Sequence, residues 1–236
     1  MVIDDLCDRR HHCDLLLDQN LGANISLYKD IIPKDSRVFF GPKYALLRPE
    51  FSQYRDTSLA RRKKNKVDNI VINFGGGDPD NYIARTLTAL LAVDIPDNVT
   101  ISIIFGNLAL VKQEHRRLIA SFLINVEVFG AVRNMAQMLT NCDLVIGAAG
   151  SSAWERCCLG VPSIVFPVAL NQADIAKKLS AFGAAYVLDC QDLSNGKFGA
   201  LVSRIFESED LKIMSLKASN ICDGMGVEKI VNELKA

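Results

Sequence analysis

Two short stretches of the 236-residue sequence combine small residues with oxygen-bearing side chains, as a phosphate or sugar site requires. One is FGGGDPDN (74–81), in which Gly75, Gly76 and Gly77 precede Asp78. The other is LVIGAAGSSAWERCCLGVPSIVFP (144–167), which sets Gly150, Ser151, Ser152 and Glu155 between two apolar runs. Consecutive glycines let the main chain approach an anion, and serine hydroxyls beside a helix start add donors. A tight strand-to-helix turn needs one glycine, so three in a row favour ligand approach. Asp78 or Asp80 can cap the helix that follows, with Pro79 favoured at a first helical position. Glu155 stands one turn into its helix, where a carboxylate can accept from two vicinal hydroxyls such as those of a ribose. Ser152-x-x-Glu155 is equally a capping box, with Glu155 folded back onto the Ser152 N–H. Further along, ALNQADIAKKL (169–179) offers the amides of Asn171 and Gln172, which both donate to and accept from sugar hydroxyls or acetamido groups; helix capping by Asn171 is the alternative.

Other chemistries find less support. Asp80 occupies the place of the third glycine of GxGxxG, and no Gly-Lys-Ser/Thr follows the first loop, so neither a dinucleotide fingerprint nor a P-loop is present. Seven cysteines include no CxxC pair and no zinc-type spacing, and read as reduced, mostly buried thiols. Cys157, Cys158 and Trp154 read as packing residues. His115, in KQEHRRL, is expected on a solvated helix face; His11 and His12 receive no chemical role. The 27 basic side chains balance the 27 acidic ones, so no global field attracts nucleic acid or an anionic membrane. No apolar run reaches membrane-spanning length and MVIDDL lacks signal-peptide regions, so a cytoplasmic chain is expected. No metal or other cofactor is expected.

These loops must be carried by strands. From residue 68 onward, apolar β-branched runs alternate with turns and helical periodicity, the grammar of βαβ units in a parallel, helix-covered sheet. The strands are expected at 69–74, 100–106, 126–130, 143–148, 163–168 and 185–189. Helical faces are expected through Ile83, Leu87, Leu90 and Leu91, and through Leu110, Leu118, Ile119 and Leu123. The first 45 residues carry three strand-like runs, VID, CDLLLD and RVFFG, without a complete βαβ unit. Residues 46–67, with Pro49 and the basic run RRKKNK, read as a solvated linker. Residues 68–220 then form the main domain, and 221–236 a terminal helix packing toward the N-terminal part.

CDLVIGAAGSSAWERCCLGVPSIVF followed by NQ, together with VIDDLCDRRHHCDLLLDQN, GPKYALLRPEF, NFGGGD and CDGMGVEKI (222–230), resembles one family along nearly the whole chain. It is the nucleotide-sugar hydrolases of pseudaminic acid biosynthesis, which remove UDP from a UDP-linked 2,4-diacetamido-2,4,6-trideoxy sugar. The resemblance implies a GT-B-like α/β fold, related to the transferase that adds GlcNAc in peptidoglycan synthesis. A Rossmann-type parallel-sheet C-terminal domain would follow a partial N-terminal α/β domain. It implies that Gly75, Gly76, Gly77 and Asp78, with Gly150, Ser151 and Ser152, hold the nucleotide diphosphate. Glu155 would bind the ribose, and Asn171 and Gln172 would face the sugar. It also implies an N-terminal Gly-x-Gly-His-x-x-Arg type loop whose histidine assists the attacking water. The sequence contains no such loop, so no catalytic residue is assigned, and the chain is expected to begin late in the first domain, roughly 100 residues in. A companion chain or a homo-oligomer would complete that domain. A GT-B glycosyltransferase using a UDP-sugar donor, and a non-catalytic nucleotide-binding remnant, are the alternatives.

Overall fold

The computed structural model describes residues 1–64 and 66–235, the side chain of Pro79 excepted. The three early apolar runs form short parallel strands, β1 (Val2–Ile3), β2 (Leu15–Asp18) and β3 (Arg37–Phe40), in that spatial order. After helix α1 (Pro49–Arg62) come β4 (Asn69–Asn73), α2 (Tyr82–Leu90), β5 (Thr100–Ile104), α3 (Gln113–Ala120), β6 (Asn125–Phe129) and α4 (Met135–Asn141). Then follow β7 (Leu144–Ala148), α5 (Ser152–Cys158), β8 (Ser163–Phe166), α6 (Ala173–Phe182), β9 (Tyr186–Val187), α7 (Lys197–Glu207), α8 (Asp210–Ser219) and α9 (Gly226–Lys235).

The later strands form one six-stranded parallel sheet in the order β6-β5-β4-β7-β8-β9. The chain runs outward from β4 through β5 to β6, then returns to the other side of β4 with β7. The switch point of this Rossmann-type order therefore lies between β4 and β7, where open α/β sheets bind ligands. Strand side chains alternate between faces, so each strand serves two cores. Ile70, Ile72, Leu144 and Ile146 join Ile83, Leu87, Phe198 and Val202 of α2 and α7. Val71 and Val145 join Phe51, Leu139, Trp154 and Ile175 on the opposite side. Helix α9 returns to the three-stranded sheet, where Ile230 packs with Leu15, Leu17 and Phe39. Arg37 there donates to the Glu233 carbonyl at 2.7 Å.

The periodicity misplaced several residues. Leu91 and Leu110 are exposed, and Leu123 is fully so, because α2 ends at Leu90 while α3 begins only at Gln113 and ends before Leu123. The segment read as a solvated linker needs a larger correction. Residues 49–62 are a 14-residue helix packed on the main core, with Phe51 wholly buried. Its polar residues dock it against the C-terminal ends of other helices. Arg62 is buried and donates to the carbonyls of Leu139 and Cys142. Ser58 donates to Leu159 O at 2.7 Å, and Arg55 bonds the carbonyls of Cys158, Ser219 and Cys222. Cations and donors at helix C-termini satisfy carbonyls that have no intrahelical partner. Asn65, in the same basic run, lies outside the described residues.

Arg61 anchors the same helix to Asp143, with Nε 2.8 Å and Nη2 3.0 Å from the two carboxylate oxygens. Asp143 Oδ2 also accepts from the backbone N–H groups of Asp68 (3.0 Å) and Asn69 (2.9 Å). Removing a buried carboxylate leaves its partners unsatisfied, at a typical cost of about 3–5 kcal/mol. Asp143→Ala should lose on the order of 3 kcal/mol in denaturant unfolding; a loss under about 1 kcal/mol would show that the carboxylate does not hold this junction.

Candidate functional site

Both loops singled out by composition lie at the C-terminal edge of the six-stranded sheet, one after each strand of the switch point. Beyond β4, Asn73 turns its amide inward: Nδ2 donates to Ile104 O at 3.3 Å while Oδ1 accepts the Gly75 N–H at 3.2 Å. Gly75 has φ +97°, which excludes most side chains. A Cβ added at Gly75, Gly76 or Gly77 would meet no atom within 4 Å, so protein packing does not demand this run of glycines. The space in front of the loop is open.

Asp78 closes the loop. Its Oδ1 accepts the Ile83 N–H at 2.9 Å and so caps α2. The chain reaches that helix through Asp80 (φ 51°) and Asn81 (φ 58°), two non-glycine residues in left-handed conformation. Pro79 accordingly belongs to a 3₁₀ turn, and α2 starts at Tyr82. His115, expected in solvent, is completely buried beside this turn. Its Nε2 lies 3.5 Å from Asp78 Oδ2, and its Nδ1 accepts the Lys112 N–H at 3.1 Å. Burial pushes its pKa below the usual histidine value, against the pull of Asp78.

Beyond β7, the capping box is not formed. Ser151 is the N-cap without a side-chain cap bond, and α5 begins at Ser152. The Ser152 hydroxyl accepts from Arg156 Nη1 at 3.0 Å instead. The Glu155 carboxylate makes no hydrogen bond among the described residues and is half-buried. Burial pushes its pKa above the usual glutamate range, opposed first by Arg48 and then by Arg156. Arg48, which composition did not single out, holds Glu50 at 3.2 Å and donates to Arg133 O at 3.3 Å. Gln172 ties in the third loop: its Oε1 accepts the Val168 N–H at 3.1 Å, and a Cβ on Gly150 would lie 3.3 Å from its Nε2. Gln172, not Asn171, is the N-cap residue of α6, and Asn171 is exposed without a hydrogen bond among the described residues.

Gly75–Asp78, Gly150–Ser152 and Asn171–Gln172 thus follow three neighbouring strands, with Glu155 one helical turn behind the second loop. Sequence reasoning missed Asn73 and Arg156, although a polar residue closing NIVIN and an arginine four residues after Ser152 were visible signals. It also gave no role to His11, whose Nε2 lies 3.5 Å from Asp4 Oδ2. Asp4 and Asp18 share the buried Tyr28 hydroxyl at 3.1 and 2.9 Å. That network lies at the ends of β1 and β2 in the other sheet. A surface cavity of about 600 Å³ between α2 and α7 includes none of the glycine-loop residues.

Arg156 is almost wholly buried, donates to Ala148 O at 2.9 Å, and has no carboxylate within salt-bridge distance among the described residues. A buried guanidinium without an ion partner carries a desolvation penalty that its hydrogen bonds only partly offset. Arg156→Met should therefore unfold within about 1 kcal/mol of the wild type or be more stable. A thermal or denaturant scan showing a loss of several kcal/mol would show instead that its hydrogen bonds to Ser152 and Ala148 outweigh that penalty.

Known proteins share both the sequence pattern and the fold of this chain. Residues 71–234 match the family described as "Glycosyltransferase family 28 C-terminal domain". The spore coat polysaccharide biosynthesis protein SpsG of Bacillus subtilis is 27% identical over 213 residues, 86% of this chain and 61% of that protein. The UDP-2,4-diacetamido-2,4,6-trideoxy-beta-L-altropyranose hydrolase of Campylobacter jejuni is 29% identical over 173 residues, 73% of this chain and 59% of that enzyme. This chain therefore spans about three fifths of the length of these relatives. The crystal structure of Acinetobacter baumannii MurG superposes with a TM-score of 0.66 at 19% identity, covering 94% of this chain and 66% of that one.

Proposed function

We propose, for a chain that belongs to the glycosyltransferase family 28 C-terminal domain family, that the crevice between the ends of β4 and β7 binds a UDP-sugar. In this reading, the protein takes part in releasing UDP from a UDP-2,4-diacetamido-2,4,6-trideoxy sugar. The observation that carries the binding site is the open glycine run at the switch point, together with a Glu155 carboxylate, one turn behind the neighbouring loop, that no capping bond consumes. The backbone of Gly75–Gly77 and Gly150–Ser152, with the Ser151 and Ser152 hydroxyls, receives the diphosphate. Glu155 accepts from the ribose hydroxyls, and Asn171 and Gln172 reach the sugar. The likeness to the Campylobacter jejuni hydrolase supports this substrate.

The reaction breaks the bond between the anomeric carbon and the diphosphate oxygen while a water oxygen bonds to that carbon. UDP leaves with the electron pair, and loop donors stabilise its developing charge. The water's proton must pass to a base, and no residue of the site is assigned that task. A second reading, transfer of the sugar to an acceptor hydroxyl, is favoured by the family match and uses the same nucleotide half of the site.

Calorimetric titration with UDP should show binding that Glu155→Ala weakens at least about tenfold, or 1.4 kcal/mol. No binding by the wild-type chain would overturn the site. UDP release from the diacetamido sugar nucleotide in water distinguishes hydrolysis from acceptor-dependent transfer. A pH series with uridine, which carries no phosphate to titrate, tests Glu155 separately. Accepting from the ribose requires the carboxylate, so affinity holds above the raised Glu155 pKa and falls as pH drops through it. The fall should begin above the ordinary glutamate range, and be absent in Glu155→Gln.

A further inference from the structure

The first turn of α3 is fastened to the segment that ends the glycine loop. Asn81 Nδ2 donates to Glu114 Oε2 at 3.0 Å, and Lys112 Nζ donates to Asn81 Oδ1 at 3.4 Å. His115 supplies the buried part of this attachment. Its ring is fully enclosed and packs on Phe105, with centroids 4.9 Å apart. Because Nδ1 accepts the Lys112 N–H, the neutral ring carries its proton on Nε2. That N–H faces Asp78 Oδ2 at 3.5 Å, the long limit of a hydrogen bond, and neither atom has a closer partner to satisfy it among the described residues. The other Asp78 oxygen is committed to the Ile83 N–H.

Asp78 is thus held on one oxygen by the Ile83 N–H and supported on the other by the His115 ring. Two features make that support consequential. The chain after Asp78 passes through the left-handed pair Asp80 and Asn81, a strained conformation that neighbouring contacts must offset. The β5–α3 connection also presses on the loop itself, since a Cβ at Gly106 would sit 3.2 Å from Gly76 Cα and O.

We propose that His115 is a positioning residue for nucleotide binding. Through Asp78, it holds the Gly75–Gly77 backbone in a shape already suited to the diphosphate. This rests on the UDP reading of the site. The loop has no packed side chains of its own to fix its conformation, so its preorganisation comes from residues at its ends and from the close approach of Gly106. His115 touches no ligand; its imidazole converts a buried helix start into a fixed wall behind the glycines.

Two conservative variants separate this role from a purely structural one. His115→Gln places an amide N–H near the Nε2 position and keeps the donor to Asp78. His115→Asn places an amide oxygen near Nδ1 and keeps only the acceptor for Lys112 N–H. UDP titration should give His115→Gln within about threefold of the wild type and His115→Asn at least about tenfold weaker. Amide exchange over residues 75–81, without ligand, should be faster in His115→Asn alone. Equal affinities in the two variants, or both at the wild-type level, would overturn the proposal while leaving the UDP reading intact. A wild-type chain that binds no UDP overturns the nucleotide reading and this proposal with it. Should His115→Asn fail to fold, Asp78→Asn alters the same contact from the loop side. Wild-type UDP affinity in that variant would equally overturn the role.

Discussion

The Asp143 carboxylate receives the backbone N–H groups of Asp68 and Asn69 at the start of β4, while its own residue leads directly into β7. One short side chain thus sets the entry of the two strands between which the chain reverses its order. Arg61 closes over the same carboxylate and brings α1 with it. Because β4 and β7 are also hydrogen-bonded along their length, with Asn73 beside Gly147, a register set at their entry is carried to their exits. The exits are where the glycine loop and the serine loop begin. A Cβ on Gly147 would lie 2.0 Å from the Asn73 carbonyl oxygen, so the strands approach closely just where the site opens.

Around that crevice the buried polar groups are of opposite kinds. Beneath the loop after β4 sits the Asp78 carboxylate with a neutral histidine; beneath the loop after β7 sits the Arg156 guanidinium, with no carboxylate in salt-bridge contact among the described residues. Two open loops therefore rest on a carboxylate and on a cation respectively. Groups of this kind cost stability when buried incompletely paired, and such costs persist where a site uses them. The half-buried Glu155, held between desolvation and the Arg48 and Arg156 guanidinium groups, belongs to the same pattern.

Polar contacts also explain why α1 escaped notice. Its sequence, PEFSQYRDTSLARR, carries little apolar periodicity because arginine and serine seat it on helix ends, with Phe51 as its main apolar anchor. A basic run reads as solvated only when nothing electronegative faces it. Here the carbonyl ends of α4, α5 and α8 do. The same misreading befell His115, which lies among charged residues in sequence yet faces Phe105 and Asp78 in space.

The strands, their parallel arrangement and the two loops were legible in the chain itself. A β-strand buried on both faces must be apolar throughout, and a turn that leaves its glycines free of packing shows itself by composition. Glu155 was visible as a residue of interest, but its two readings could not be separated locally, since a capping box and a ligand carboxylate use the same spacing. Only the tertiary structure showed that the capping box is not formed: Arg156 takes the Ser152 hydroxyl, and Glu155 is left without a hydrogen bond among the described residues. It likewise decided the packing of α1, the pairing of Asp78 with His115 and the joining of Gln172 to Gly150. These depend on partners from 22 to 167 residues away. Short-range pattern reports what a residue tends to do with its neighbours; which polar groups meet in the interior is settled by packing of the whole fold.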